Sequence, residues 1–435
     1  MDANNPPPPL SAKFKDSFAY PTVKERMPSI VAGVADTAFR SKVWIKEKYG
    51  EEGSEDLKKV AGGVSKLRNE MMTGKVLIPI TDTRSDVKLW NDYLREVTER
   101  DGEEPTWFVS PWLYVECYMY RRIQESVEKC NILNKFDVFM DQKRKSLLDS
   151  AQPTLILLNY LMTVVNDLDS GETSDKQKLF KQLMQISLWG NKCDLSISGG
   201  QDNAQTSCPL DQVNKLRQFI LRDDLDQVWQ HLSSKSPSRV DIVLDNAGFE
   251  LITDLCLAEF LISAKLASSV HLHAKAFPWF VSDVTKDDFD HTFQFFMQNN
   301  SLAMDMFLKR WKGRIEDGSW VFKVHDFWTS PFAYCDMNKY MPELYTDLGN
   351  STLIIFKGDL NYRKLVGDRN WPTTTPFEDS LCGFHPAPLC ALRTLKADLV
   401  TGLEEGKAEE VKEQDRNWMI NGNWAVAVYC DRIVQ

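Results

Sequence analysis

At Pro237 the sequence changes rhythm, and that change constrains the fold more than any other feature. From about residue 22 to 190, apolar residues recur at helical spacing and turn signals are sparse. The stretch 153–162 is apolar enough for a buried helix. Ser110-Pro111-Trp112 reads as an N-cap followed by proline at the first helical position, opening a helix through Val115, Met119 and Ile123. Nothing in this half reads as a strand. A polar break at 196–211 leads into helical spacing again at 213–232. Beyond Pro237, short β-branched runs (240–244, 269–274, 320–324, 352–356, 424–429) alternate with helical stretches (249–265, 289–297, 302–311, 339–348). Such alternation predicts an α/β fold with a doubly wound, mostly parallel sheet. The chain therefore divides into a disordered Pro-rich tail (1–12), a helical bundle (13–198) and an α/β unit (199–435).

Charge and cysteine usage narrow the setting. With 52 Lys and Arg against 62 Asp and Glu, the net charge is −10, which argues against coating nucleic acid or an anionic membrane but permits a local basic pocket. The apolar stretch 249–266 carries Glu250, Asp254 and Glu259, too many charges to span a bilayer. The first residues lack the basic and apolar regions of a secretory leader. Nine scattered cysteines without a C-x-x-C point to free thiols in a reducing compartment, the cytosol or nucleus.

Ligands of open α/β sheets bind beyond the carboxyl ends of strands, so the strand list is also a list of candidate positions. Asp245-Asn246-Ala247-Gly248-Phe249-Glu250 follows the run 240–244, Lys275 to Asp283 follows 269–274, and Lys357 to Lys364 follows 352–356. Asp245, Asn246 and Asp283 are hard oxygen donors that suit Mg²⁺ or Mn²⁺, with water completing an octahedron. Asp245 reads equally as a helix cap. Arg363 offers a bidentate fork and Lys364 a point charge for a phosphate; the alternative is a solvated surface turn. Arg393-Thr394-Leu395-Lys396 lies among Leu389, Leu392 and Leu399, so its cations need an anionic partner. His271 and His273 share a strand face but have no acidic third ligand in register, and read as satisfied core histidines. The charged run 404–415 reads as solvated. No nucleophile elbow, P-loop or dinucleotide glycine pattern occurs.

Four motifs in order resemble the damage-control phosphatase family: Asp245-Asn246-Ala-Gly-Phe-Glu250, Phe280-Val-Ser-Asp283, Lys357-Gly-Asp-Leu-Asn-Tyr-Arg363-Lys, and Arg393-Thr-Leu-Lys396. The last, R-T-x-K, marks the subgroup that includes the acidic-residue methyltransferase proteins. Ser110-Pro-Trp-Leu, Glu116-Cys-Tyr-Met-Tyr-Arg-Arg122 and Leu188-Trp-Gly-Asn-Lys-Cys-Asp-Leu-Ser196 look like that subgroup too. The resemblance implies a helical lobe packed on an α/β/α lobe, with a divalent-metal site between them. By that likeness Asp245, Asn246 and Asp283 hold the metal, Mn²⁺ foremost with Mg²⁺, Co²⁺ or Ni²⁺ as alternatives, and Asp245 and Asp283 are catalytic. Asp245, Asn246, Asp359, Leu360, Asn361, Tyr362, Arg363 and Lys396 would hold a small phosphorylated metabolite, such as fructose 1-phosphate or fructose 6-phosphate. The subgroup also carries a proposed S-adenosylmethionine-dependent methyl transfer to glutamates of acidic proteins, which would place Glu250 and Asp283 near the methyl donor.

Residue chemistry ranks these readings. Carboxylates gathered with cations explain a metal-dependent phosphatase. Methyl-donor sites on such sheets usually carry several glycines after the first strand, and here Gly248 stands alone. A non-catalytic sensor of a sugar phosphate is the third reading.

Overall fold

A computed structural model describes residues 6–172, 175–190, 209–235, 237–299 and 301–431. Most of the polar break, and the motif residues from Asn191 to Ser196, lie outside the described residues.

Seven strands form one sheet: β1 (Ile220–Asp223), β2 (Ser238–Val243), β3 (Ala267–Ala274), β4 (Trp320–Val324), β5 (Leu353–Lys357), β6 (Leu389–Thr394) and β7 (Ala425–Cys430). Their spatial order is β1-β7-β6-β5-β2-β3-β4. Every neighbouring pair is parallel except β6 with β7. The helices include α1 (Met27–Arg40), α2 (Lys42–Met72), α3 (Val87–Asp101), α4 (Trp112–Glu128), α5 (Ala151–Ser170), α6 (Lys176–Leu188), α7 (Leu225–Ser234), α8 (Phe249–Ser263), α9 (Lys286–Gln298), α10 (Leu302–Glu316) and α11 (Gly358–Leu365). The mostly parallel α/β architecture is thus as the alternation predicts.

Central strands buried on both faces need continuous apolar runs, and β5 supplies one. Its alternation sends Leu353 and Ile355 into one core and Ile354 and Phe356 into the other. The core of Ile354 and Phe356 joins the sheet to α1–α4; that of Leu353 and Ile355 holds α5, α6 and α8–α10. Helices α5 and α6, grouped by rhythm with the helical half, pack on α8. Leu157, Leu161, Phe180 and Leu183 there share a core with Leu251 and Leu255.

Several local expectations change. Residues 6–12 are not a free tail: Leu10 N–H donates to Asp368 O at 2.8 Å, and Pro9 and Ser11 bridge to Arg369 and Pro111. Helix α4 begins at Trp112 with Pro111 as its cap residue, while the Ser110 hydroxyl accepts from Thr106 N–H at 3.1 Å. The helical stretch 213–232 contains β1, an edge strand paired with β7. Arg393 lies on β6, and the turn expected after β5 is helix α11. An acid does stand in register with the histidine pair: Asp241 opposes His271 and accepts from His273 Nε2 at 2.7 Å.

Strands β3 and β4 extend the sheet to one side of β2, and the chain then crosses back to place β5 and β6 on the other. The point of reversal lies between β2 and β5, where doubly wound sheets open a crevice at their carboxyl ends. No described helix is long and apolar enough to cross a membrane.

Candidate active site

Asp245 and Asn246 leave the end of β2 and meet the segment carrying Asp283. Asn246 and Asp283 form an isolated bridge, Ala247 N–H donates to Ser282 O at 2.7 Å, and Val284 N–H donates to Asp245 O at 2.8 Å. Leaving the strand frees the two consecutive residues from the pleat, so both serve one site. Gly248 makes the turn into α8 with φ +73°.

The turn that delivers Asp283 is strained. Phe280 and Val281 sit at φ +43° and +72°, a region that β-branched residues avoid. Packing holds it there: Phe280 stacks on Tyr120 of α4 with centroids 4.5 Å apart, and Trp279 lies 5.7 Å from the same ring. The Glu116–Arg122 motif thus supports the site from the helical half.

On the far side of β2, Gly358 starts α11 at φ +84°. A Cβ there would fall 2.0 Å from Asp245 Oδ2, so the close approach demands glycine. Asp283 is ion-paired to Lys275 at 3.1 Å, and Lys275 Nζ also donates to Leu244 O at 3.1 Å. Asn246 Nδ2 donates to Asp245 Oδ2 at 2.6 Å and Glu250 Oε2 at 2.8 Å, while the Ser282 hydroxyl donates to Asn246 Oδ1.

Burial, then the charges of Glu250 and Asp283, push the Asp245 carboxyl well above the usual range. Burial pushes Asp283 up to about 6, with Lys275 pulling the other way. Carboxylates crowded in this manner lack positive charge, which a divalent cation provides. Among the described residues no three His, Cys, Asp or Glu side chains form a metal cluster. The donors are two carboxylates and an amide, all hard oxygens, and they fit Mg²⁺ or Mn²⁺ with water completing the shell.

The phosphate-binding candidates divide. Lys396 is half-buried at the end of β6, its backbone N–H held by Asp359 Oδ1 at 3.0 Å. Among the described residues its Nζ has no hydrogen bond or ion pair, and its charge reaches Asp245. Asp359 also accepts from Arg393 Nε at 2.8 Å, and Arg393 lies over the Tyr362 ring at 4.3 Å. Burial raises the Asp359 carboxyl, but Arg393 and Arg363 outweigh it and hold it below its usual range. Arg363 is committed elsewhere: it bonds Glu116 at 2.7 Å and Asp368 at 2.8 Å, 3.8 Å above the Trp112 ring. Lys364 donates to Ser330 O at 2.7 Å, and burial lowers its ammonium to about 8. Asn361 Nδ2 donates to Lys357 O at 2.7 Å, and Leu360 is buried. Lys275 and Lys357, which open two of the candidate segments, have no role in the sequence analysis; the structure pairs them with Asp283 and with Glu250 and Asp254.

A family model described as the damage-control phosphatase ARMT1-like domain matches residues 22–411. The chain is 47% identical over 434 residues to damage-control phosphatase ARMT1 of Danio rerio, covering 98% of this chain and 97% of that one. It is 44% identical over 437 residues to the Homo sapiens protein of the same name, covering 97% and 98%. A crystal structure of a DUF89 family protein from Pyrococcus horikoshii aligns with TM-score 0.40 and 13% identity, over 80% of this chain and 91% of that one.

Proposed function

This chain belongs to the damage-control phosphatase ARMT1-like family, and we propose that it is a metal-dependent phosphatase of small phosphorylated metabolites, with hexose phosphates such as fructose 1-phosphate and fructose 6-phosphate as substrates. The observation that carries this reading is the gathering of Asp245, Asn246 and Asp283 at the switch point, with their carboxyl groups under-neutralised. These three residues would hold the cation, which supplies Lewis acidity at a phosphoryl oxygen and acidifies water. The ammonium of Lys396, unpaired among the described residues, approaches from β6 to meet phosphate charge. The first-turn N–H groups of α11, which have no intrahelical acceptor, are the donors through which residues 359–361 reach the same anion. Arg363 orients this helix through Glu116 and Asp368 rather than by touching substrate. By this reading Asp245 or Asp283 also serves as the base in hydrolysis.

The test is release of inorganic phosphate from a panel of phosphorylated metabolites with Mn²⁺, Mg²⁺, Co²⁺ or Ni²⁺, before and after chelation. Turnover that survives complete metal removal overturns the reading. Methyl transfer ranks second: Glu250, its proposed donor contact with Asp283, already accepts from Asn246 and Lys357 through its two oxygens. Methyl transfer to an acidic protein without phosphate release reverses the order.

A further inference from the structure

Glu250 lies in the first turn of α8 with both oxygens occupied. Oε2 accepts from Asn246 Nδ2 at 2.8 Å and Oε1 accepts from Lys357 Nζ at 3.2 Å. Lys357 is buried, and it also donates to Asp254 Oδ1 at 2.8 Å and to the Ser187 carbonyl at 2.7 Å. The Ser187 hydroxyl donates to Asp254 at 2.6 Å, which closes the network. The following turn, Leu188-Trp189-Gly190, packs over it: a Cβ on Gly190 would lie 2.7 Å from Thr253 Oγ1 and 3.1 Å from Glu250 Cα. None of these groups takes part in the chemistry above.

A carboxamide has two unlike ends, one that donates and one that coordinates a cation. Free rotation would present the wrong end half the time, and the amide's orientation is set by its hydrogen-bond partners. Here Nδ2 is tied to Glu250 and Asp245, which turns Oδ1 toward the hydroxyl of Ser282, the residue before Asp283. We propose that Glu250, anchored by Lys357 and the Ser187–Gly190 turn, is a positioning residue that locks the Asn246 carboxamide with its oxygen toward the divalent cation. This rests on the metal reading of Asp245, Asn246 and Asp283. It gives the Leu188-Trp189-Gly190 motif a role: the turn buttresses a group that acts through Asn246.

The experiment is calorimetric titration of the full chain with Mn²⁺ in the absence of substrate. Glu250→Gln and Glu250→Asp are each expected to weaken Mn²⁺ binding about 10- to 100-fold, the usual loss when an outer-shell partner is removed. The aspartate keeps the charge but loses the reach, so wild-type affinity in Glu250→Asp overturns the proposal. In an Asn246→Asp background the two oxygens are alike, orientation no longer matters, and Glu250→Gln is expected to leave affinity unchanged. Additive losses across that cycle overturn it as well. A wild-type chain that takes up no Mn²⁺ removes the metal reading itself, a failure distinct from wild-type binding that Glu250→Gln does not alter.

Discussion

Two buried clusters use the same ingredients to opposite ends. In the helical half, Arg121 is fully buried and donates to both oxygens of Asp82, at 2.6 and 2.9 Å, and both of Asp86, at 2.8 Å. At the sheet's carboxyl edge, Asp245, Glu250 and Asp283 crowd together with Lys275, and burial with mutual repulsion raises the Asp245 carboxyl. The first cluster is closed, each of the four carboxylate oxygens accepting from Arg121. The second is open: burial and acidic neighbours push the Asp245 carboxyl up, and a strained turn and a glycine hold the group in place. A saturated network holds structure together, whereas an unsaturated one is prepared for a ligand.

The largest expected effect separates the two clusters. Asp245→Ala should abolish metal-dependent phosphate release, by about 10³-fold or more, while the melting temperature holds or rises as a crowded buried carboxyl disappears. Arg121→Met should do the reverse, lowering stability by about 3–5 kcal/mol by leaving two buried carboxylates unpaired, with residual folded protein still active. Matching losses of stability in both variants would erase the distinction. Next comes Gly358→Ala, whose added Cβ falls 2.0 Å from Asp245 Oδ2 at φ +84°. Displacement of that carboxylate should cut kcat more than it raises KM, by roughly 10²-fold, the scale set by a 1 Å misplacement at a reacting centre.

How much of this was legible in the sequence follows from the same contrast. The β2–α8 and β3 motifs stood out because an acidic residue beyond an apolar strand has a local signature, and the parallel sheet followed from alternation. Strands β1 and β6 did not stand out. Ile220–Asp223 is a four-residue edge strand inside helical spacing, and β6 carries the buried Arg393 in an otherwise apolar run. Arg363 looked like a phosphate clamp because its partners, Glu116 and Asp368, are a tertiary fact: one lies 247 residues away. The same holds for Asp241, which shares a register with His271 only once β2 and β3 pair.

Lys396 tests the open cluster from its cationic side. With no ion pair to its ammonium, Lys396→Met should cost little stability but lower kcat/KM about 10- to 100-fold, the weight of a charge-assisted hydrogen bond of about 1.5–3 kcal/mol. A loss of stability instead would place Lys396 with the closed group.

The smallest effect concerns a third cluster, on β2 and β3. Asp241 accepts from His273 Nε2 at 2.7 Å and from Arg239 Nε and Nη2 at 2.8 Å, and the Ser351 hydroxyl donates to it as well. Burial opposes ionisation of Asp241, but His273 and Arg239 outweigh it and hold the carboxyl below its usual range. At neighbouring His271 burial wins instead, lowering it to about 4 despite the pull of Asp241. Between that value and about 6.5, its unfolded value, the unfolded chain binds more protons than the folded one. Stability should therefore fall as pH drops through this window, and the Asp241 contribution should be lost only below about 3.9. In urea unfolding from pH 7 to pH 3, His271→Gln should flatten the slope above pH 4 while leaving the loss below pH 4 in place. An unchanged slope would mean that other groups carry the acid sensitivity, and that this cluster is as closed as the one around Arg121.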